Sequence, residues 1–308
     1  MRNSNRRLIA EPTTDWPRIP EGIELGYTHG IAVDSQGRIF IFNMSKHAIV
    51  VLDPEGNYLF SWGEAFARGA HGMHLYRDDR GEECLLLTDI ERHLVAKYSL
   101  DGRELLTFAA PPSTGAYDRP EKYVPTDVHA APNGDVYVVD GYGQYYVHRY
   151  DRNGNWIQSW GGRGSGDGQF QEPHGLWIDA RGPEPKIYVA DRRNQRFSCF
   201  THDGELLRQY GGDYLLPCDI VGDGQYFYIP DLNSRVTIAD SDFQVLGHFG
   251  EQPAHWQDAR WPSIPESEWT ADTFVSPHAL CLDGQGHLLV VEWVPQGRVT
   301  KWTWRFED

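Results

Sequence analysis

The stretch HGLWIDARGPEPKIYVADRRNQRFSCFTHDGELLRQYG, residues 174–211, decides the fold of this chain. It has the pattern of four short strands, with a turn after the first, a second β-branched strand that ends in Ala-Asp, and an Asp-Gly turn before the fourth. Residues 29–63 and 126–161 repeat the same order of strands and turns. Self-similarity of this kind indicates one structural unit that is used several times.

Weaker copies of the unit begin at His71, Cys218 and His278, so six copies fill the chain. Four-stranded units repeated at roughly 40–50 residues are typical of a β-propeller, in which each sheet packs against its neighbours around a central channel. We therefore predict an all-β, six-bladed propeller of four-stranded antiparallel blades, as a single domain over residues 1–308. The blades are predicted to start near residues 29, 71, 126, 174, 218 and 278. A TIM barrel is disfavoured because no helical pattern separates the strands.

The sixth copy ends after its third strand, GRVTKWTW at residues 297–304, and lacks a fourth. We predict that part of residues 7–20 supplies this strand and closes the ring, which would cover an edge open to aggregation. Two intervals, 109–125 and 251–277, are longer than the blades require and are rich in Pro and aromatic residues. Such intervals are expected to shape the mouth of a pocket, and surface decoration is the alternative.

Composition excludes several classes of protein. The 44 acidic residues against 28 basic ones give a formal charge of −16, which opposes binding to nucleic acids and to anionic membranes. The first residues contain no apolar core typical of a secretory signal, and no later run is apolar enough for a membrane helix. The four cysteines are far apart and form no CxxC pair. These features favour a cytoplasmic protein with buried thiols.

Equivalent positions at the start of each blade should form a ring around the channel, and four of the six are histidines. In blade order the ring consists of His29, His71, Thr126, His174, Cys218 and His278. Alternate blades bring His71, His174 and His278 together, and three neutral imidazoles make a catalytic type of zinc site with one open position. Iron, manganese or nickel are alternatives to zinc, and a hydrogen-bonded polar plug is the alternative to a metal site.

Other residues near the ring are candidates for a supporting role. His29 and Cys218 occupy the remaining ring positions, and His74 is close enough in sequence to compete with His71 as a ligand. Pro173 and Gly175 around His174 are expected to set the turn into the first strand of blade four.

Each second strand ends in a polar residue that is expected to accept backbone hydrogen bonds from the following loop. The six are Asn43, Asp89, Asp140, Asp191, Asp231 and Glu292. The residues just after them differ between blades, and Tyr142 and Arg192 should project beside His174. Arg192 could hold a carboxylate through paired hydrogen bonds, and Tyr142 could act as acid or base. An exposed arginine and a packed tyrosine are the structural alternatives.

The repeats resemble NHL repeats, and the whole chain resembles the peptidyl-α-hydroxyglycine α-amidating lyase family, most closely at three segments of blades three and four. The segments are VPTDVHAAPNGDVYVVDGY, SWGGRGSGDGQFQEPHGLWID and VADRRNQRFSCF. The resemblance implies a six-bladed propeller with a catalytic zinc bound by His71, His174 and His278. It also implies that Tyr142 is catalytic and that Arg192 binds a substrate carboxylate. The implied reaction cleaves a carbinolamide, R–CO–NH–CH(OH)–COO⁻, and releases glyoxylate.

The chain departs from this family at three points. Met44 lies where the family usually has an arginine, and Ala279 replaces an aspartate that binds calcium, so calcium is not expected. The disulfides of secreted members are also missing. The substrate is therefore open: a ureidoglycolate-like compound, or another metal-assisted lyase, hydrolase or isomerase reaction on a polar metabolite, is an alternative. A propeller that binds a protein or ligand without catalysis, and a lactonase-like propeller, are the remaining candidates.

Overall fold

The computed structural model describes residues 6–108, 110–111 and 116–307. These residues form six antiparallel sheets of four strands each, which confirms the prediction of an all-β, six-bladed propeller. Blade one comprises Thr28–Val33, Ile39–Asn43, Ile49–Leu52 and Tyr58–Trp62. Blade two comprises Ala70–Arg77, Glu83–Asp89, Leu94–Ser99 and Glu104–Phe108. Blade three comprises Asp127–Ala130, Val136–Val139, Tyr146–Tyr150 and Trp156–Gly161.

The second half of the ring follows the same order. Blade four comprises Pro173–Asp179, Lys186–Asp191, Arg196–Thr201 and Leu206–Gly211. Blade five comprises Val221–Gly222, Tyr226–Asp231, Arg235–Asp240 and Val245–Phe249. Blade six comprises Pro277–Leu282, Leu288–Glu292, Arg298–Glu307 and the N-terminal strand Arg7–Pro12.

The N-terminal strand closes the ring, as the sequence predicts. It pairs antiparallel with the last strand of blade six, in a register that runs from Arg7 opposite Glu307 to Pro12 opposite Trp302. Leu8 and Ala10 of this strand pack against the apolar cluster between blades five and six. The closure therefore supplies both backbone pairing and buried apolar surface.

The inner strands are apolar because both faces of each blade are covered by neighbouring blades. The second strand of blade one, IFIFN, is buried at every position, and so is VYVV in blade three. β-Branched and aromatic residues suit such two-sided packing. The helices among the described residues are all short, with three or four residues each. They are Glu64–Phe66, Pro120–Lys122, Arg192–Asn194, Pro253–Trp256 and Glu266–Glu268. None of the described helices is long and apolar enough to cross a membrane.

The polar residues at the ends of the second strands anchor the backbone around the channel. Asp89 accepts from the N–H groups of the following loop, as predicted, at 3.0 Å from Glu91 and 2.8 Å from Arg92. In later blades the residue at the equivalent position also accepts hydrogen bonds from the segment that precedes the first strand of the same blade. Asp231, for example, accepts from Leu215 N–H and Leu216 N–H at 2.6 Å each. In blades three to six such bonds hold the start of the first strand in place. The expectation is wrong for Asn43, whose side-chain amide instead donates to the carbonyls of His47 and Ala48.

The expectation that Pro173 and Gly175 form a turn is wrong, because both lie within the strand Pro173–Asp179. Gly175 is needed for close packing instead. A Cβ atom there would lie 2.5 Å from the Cys218 carbonyl oxygen of blade five, and one on Gly72 would lie 2.6 Å from that of Thr126 in blade three. The glycine after the ring histidine thus lets the next blade approach at the channel.

The two long intervals lie at the end of the propeller where the first strands begin. In the first, the Tyr117 hydroxyl donates to the Asp140 carboxylate, which also accepts from Val124 N–H at 2.6 Å; residues 109 and 112–115 lie outside the described part. In the second, the Trp261 ring packs 5.8 Å from Trp293. Their role in shaping a binding pocket stays a prediction.

Candidate metal centre and catalytic site

The structure brings the three predicted histidines together on the propeller axis. The imidazole centroids of His71 and His174 are 4.9 Å apart, those of His71 and His278 5.0 Å, and those of His174 and His278 4.9 Å. All three side chains are buried, with exposed fractions of 5% or less. Residues from blades two, four and six thus form a nearly equilateral triangle.

Each of these histidines donates a hydrogen bond to the backbone carbonyl of the next ring residue around the propeller. His71 Nδ1 donates to the carbonyl of Thr126 at 2.6 Å. His174 Nδ1 donates to that of Cys218 at 2.8 Å, and His278 Nδ1 to that of His29 at 2.9 Å. A hydrogen bond at Nδ1 fixes the tautomer and leaves the Nε2 lone pair available to a metal. The threefold pattern sets these three residues apart from His29, whose Nδ1 bonds to Tyr27 of its own segment at 3.1 Å.

Burial keeps these imidazoles neutral. Desolvation lowers the pKa of His71, His174 and His278 well below its ordinary value, and Arg192 and the neighbouring ring histidines lower it further. A neutral imidazole is the form that binds a metal, because a protonated ring has no lone pair to offer. The same buried positions would be costly for a charged ring.

Tyr142 and Arg192 lie beside the triangle, as the sequence predicts. The Tyr142 hydroxyl is 3.2 Å from His71 Nε2 and 3.0 Å from His174 Nε2, and it accepts from Arg192 Nη2 at 3.3 Å. Burial of this hydroxyl raises the pKa of Tyr142, while the Arg192 charge acts to lower it. The residue as a whole is 39% exposed, so Tyr142 lies between the buried triangle and the open end of the propeller.

Arg192 is buried rather than exposed, which removes the alternative of a surface arginine. Its Nη1 donates to the Cys218 thiol at 3.3 Å, and its Nη2 pairs with the Glu172 carboxylate. Burial acts to lower the pKa of Arg192, but Tyr142, Cys218 and Glu172 raise it overall. The guanidinium is therefore charged and held at the site.

Glu172 is a site residue that the sequence reasoning missed. It is buried and contacts both Arg192 and Arg193 through its two carboxylate oxygens. Its position two residues before His174, inside QEPHG, was the available signal. A glutamate in a turn is usually exposed, so the sequence alone gives no reason to place it against an arginine from another loop.

The structure separates the three candidates for supporting roles, and it also places Met44, which stands where the family has an arginine. His29 lies within the cluster, with its ring 4.8 Å from both His71 and His278, and Cys218 contacts Arg192. His74 points elsewhere and stacks on His129 of blade three at 3.9 Å. Met44 packs against the apolar cluster between blades one and two.

A cavity of about 310 Å³ continues the channel along the first strands, beyond the histidines. It is lined by the His74–His129 stack, the buried carboxylate of Asp127 and the half-buried carboxylate of Asp219. Burial raises the pKa of Asp127 well above its ordinary value and that of Asp219 to about 7. Leu176 N–H of blade four donates to the Asp127 carboxylate of blade three at 2.9 Å, so Asp127 also links two neighbouring blades.

The donor set fits a transition metal. Ligand atoms of His29, His71 and His278 all lie within 4.8 Å of one another, as do those of His174, Cys218 and His278. Neither group is the predicted triangle: His71 belongs to one group, His174 to the other, and His278 to both, with His29 or Cys218 as the third donor. Neutral imidazoles suit zinc and several other divalent metals, whereas calcium prefers oxygen ligands.

The fold and site together define a six-bladed β-propeller with a cluster of histidines from different blades at its centre. No family model matches the chain. Its relatives include peptidyl-glycine alpha-amidating monooxygenase B of Xenopus laevis, 28% identical over 236 residues, which cover 67% of this chain and 26% of the relative. NHL repeat-containing protein 3 of Homo sapiens is 28% identical over 265 residues, covering 80% and 73%.

Peptidyl-alpha-hydroxyglycine alpha-amidating lyase 1 of Drosophila melanogaster is 25% identical over 338 residues, covering 94% of this chain and 59% of that protein. The chain thus spans about a quarter of the Xenopus protein and a little over half of the Drosophila lyase. Among solved structures, a streptogramin B lyase aligns with a TM-score of 0.64 at 12% identity, over 97% of this chain and 98% of that one. That likeness supports the propeller fold alone.

Proposed function

We propose that this chain is a metal-dependent lyase that cleaves the C–N bond of a small carbinolamide bearing a carboxylate. His71, His174 and His278 would hold the metal, most simply zinc. The observation that carries the proposal is the threefold Nδ1 pattern, which leaves three neutral Nε2 atoms, two of them in contact with the Tyr142 hydroxyl. The amidating lyases among the relatives support this choice of reaction.

The reaction divides the substrate R–CO–NH–CH(OH)–COO⁻ into the amide R–CO–NH₂ and glyoxylate. The hydroxyl loses its proton, the C–N bond breaks, and the nitrogen gains a proton, so the atoms balance without a co-reactant. A divalent metal bound at the histidines would supply Lewis acidity toward the substrate hydroxyl and lower the pKa of neighbouring groups.

The chain's own residues supply positioning and proton transfer. Arg192 would bind the substrate carboxylate, since a buried guanidinium offers several fixed donors. Tyr142 Oη contacts two imidazoles and Arg192. With its pKa lowered by a bound metal and by the Arg192 charge, Tyr142 would be present as the phenolate, accept the hydroxyl proton and return it to the departing nitrogen. The Nδ1 bonds to backbone carbonyls would keep the imidazoles oriented throughout.

The test is incubation of zinc-loaded protein with α-hydroxyhippurate and measurement of glyoxylate and benzamide. We expect both products in equal amounts above the uncatalysed rate, and their loss in His174→Ala. Metal-loaded protein that releases no glyoxylate from this or from longer acyl-hydroxyglycines would contradict the proposal.

A non-catalytic binding propeller is the second candidate. The human NHL repeat-containing protein 3 favours it, because the alignment covers a larger share of that relative than of the Xenopus or Drosophila proteins. Such a propeller has no need of neutral histidines arranged around Tyr142. Metal binding without turnover on any hydroxyglycine substrate would favour this candidate.

A further inference from the structure

The contacts of Glu172 point to a role in controlling Arg192. Glu172 has a left-handed backbone with φ of 68°, which is uncommon for a residue other than glycine. Residues in such conformations persist when the surrounding structure holds them there. Here the holding contacts come from the turn that carries Arg192.

Backbone hydrogen bonds and side-chain ion pairs join Glu172 and its neighbour Gln171 to this turn. Arg192 N–H donates to the Glu172 carbonyl at 3.3 Å, and Arg193 N–H donates to the Gln171 carbonyl at 3.0 Å. The two carboxylate oxygens then take one guanidinium each, Arg192 Nη2 and Arg193 Nε. The Arg192 and Glu172 side chains are 7% and 9% exposed, whereas that of Arg193 is 61% exposed. The buried member of this trio, Arg192, is therefore the one that Glu172 orients most strongly.

Glu172 also changes the charge that a ligand would meet. Its carboxylate lies against the Arg192 guanidinium and offsets part of the positive charge available to a substrate carboxylate. It does not use all the donors: Arg192 Nη1 contacts only the weakly accepting Cys218 thiol, and Nε has no hydrogen-bond partner among the described residues. Arg192 is thus held mainly through Nη2, and Nη1, whose present acceptor is a weak one, keeps donor capacity for an incoming group.

We propose that Glu172 is a positioning residue for Arg192 and sets the preference of the site between anionic and neutral ligands. The inference rests on the proposed function in one respect, that Arg192 is the group that meets the ligand. Glu172→Gln keeps an acceptor for Arg192 but removes the negative charge, and Glu172→Ala removes both. These two variants separate the effect of position from that of charge.

The test is calorimetric binding of hippurate and of its neutral amide, hippuramide, to zinc-loaded wild type and variants. Neither probe carries the hydroxyl that cleavage requires, so binding is measured without turnover. We expect Glu172→Gln to bind hippurate about fivefold more tightly than wild type and hippuramide equally well, since one unit of repulsion is removed. Glu172→Ala should bind hippurate more weakly than Glu172→Gln, because Arg192 loses its anchor. Glu184→Gln is the matched charge control, because its side chain is 73% exposed on the far turn of the same blade.

Three results would overturn the inference: an unchanged hippurate affinity in Glu172→Gln, an equal change for both probes, or no hippurate binding by wild type and Glu172→Gln alike. The outcome is independent of the reaction. If α-hydroxyhippurate is not cleaved but hippurate binding shifts as expected, the proposed lyase activity fails and the role of Glu172 stands.

Discussion

Replacing Gly175 with alanine tests how the blades are fitted together at the metal centre. The added Cβ would lie 2.5 Å from the Cys218 carbonyl oxygen, where ordinary contact begins at 3.4 Å, so blade four or five must move by about 0.9 Å. The clashing atom belongs to the backbone, which cannot change its position as easily as the end of a flexible side chain. Overpacking of this kind typically costs about 1–3 kcal/mol, and we expect Gly175→Ala to lower the free energy of unfolding by that amount.

The same carbonyl is the acceptor for His174 Nδ1 at 2.8 Å, so the displacement should also loosen that ligand. Loss of such a supporting bond typically weakens metal binding about 10- to 100-fold, and we expect zinc affinity to fall by at least about tenfold. Urea unfolding of the metal-free protein and zinc titration against a chelating dye measure the two effects separately. Gly284→Ala is the control, because a Cβ there meets nothing within 4 Å. A Gly175→Ala protein that matches this control in both assays would refute the packing account.

Three further predictions concern other parts of the molecule. Burial lowers the pKa of His148 to about 3, so its contribution to stability is present above pH 6.5 and is lost as the pH falls toward 3. Between pH 6.5 and 5, the free energy of unfolding measured in urea should therefore fall by about 2 kcal/mol less in His148→Gln than in wild type. Tyr142→Phe should reduce glyoxylate release at least about 100-fold while zinc content is unchanged, and equal activity would exclude Tyr142 as the proton carrier. Deletion of residues 1–12 removes the closing strand Arg7–Pro12, so Tm should fall and the exposed edge of blade six should cause association in size-exclusion chromatography; an unchanged monomer would contradict this.

Much of the site could be predicted because a repeat assigns equivalent positions. Once the six copies are aligned, His71, His174 and His278 must face the same axis, and Tyr142 and Arg192 must follow the second strands of adjacent blades. The chain-closing strand follows from the same count, since the sixth copy has only three strands of its own. Periodicity therefore predicts which residues share a layer of the propeller.

Contacts between blades could not be predicted in this way, because the repeat does not describe them. His74 stacks on His129, which belongs to another blade, and neither position suggests the other in the sequence. Gly175 was assigned to a turn because glycine often marks one, whereas its role is the approach of blade five. Glu172 meets Arg192 only after two loops fold together.

The central claim is that three buried histidines from alternate blades bind one divalent metal. The most direct test is the metal content of zinc-reconstituted protein, measured by mass spectrometry after removal of free metal. We predict close to one zinc per chain in wild type and in His74→Ala, whose side chain lies away from the triangle, and almost none in His174→Ala. Equal zinc in wild type and His174→Ala, or no bound metal in any of the three proteins, would contradict the account.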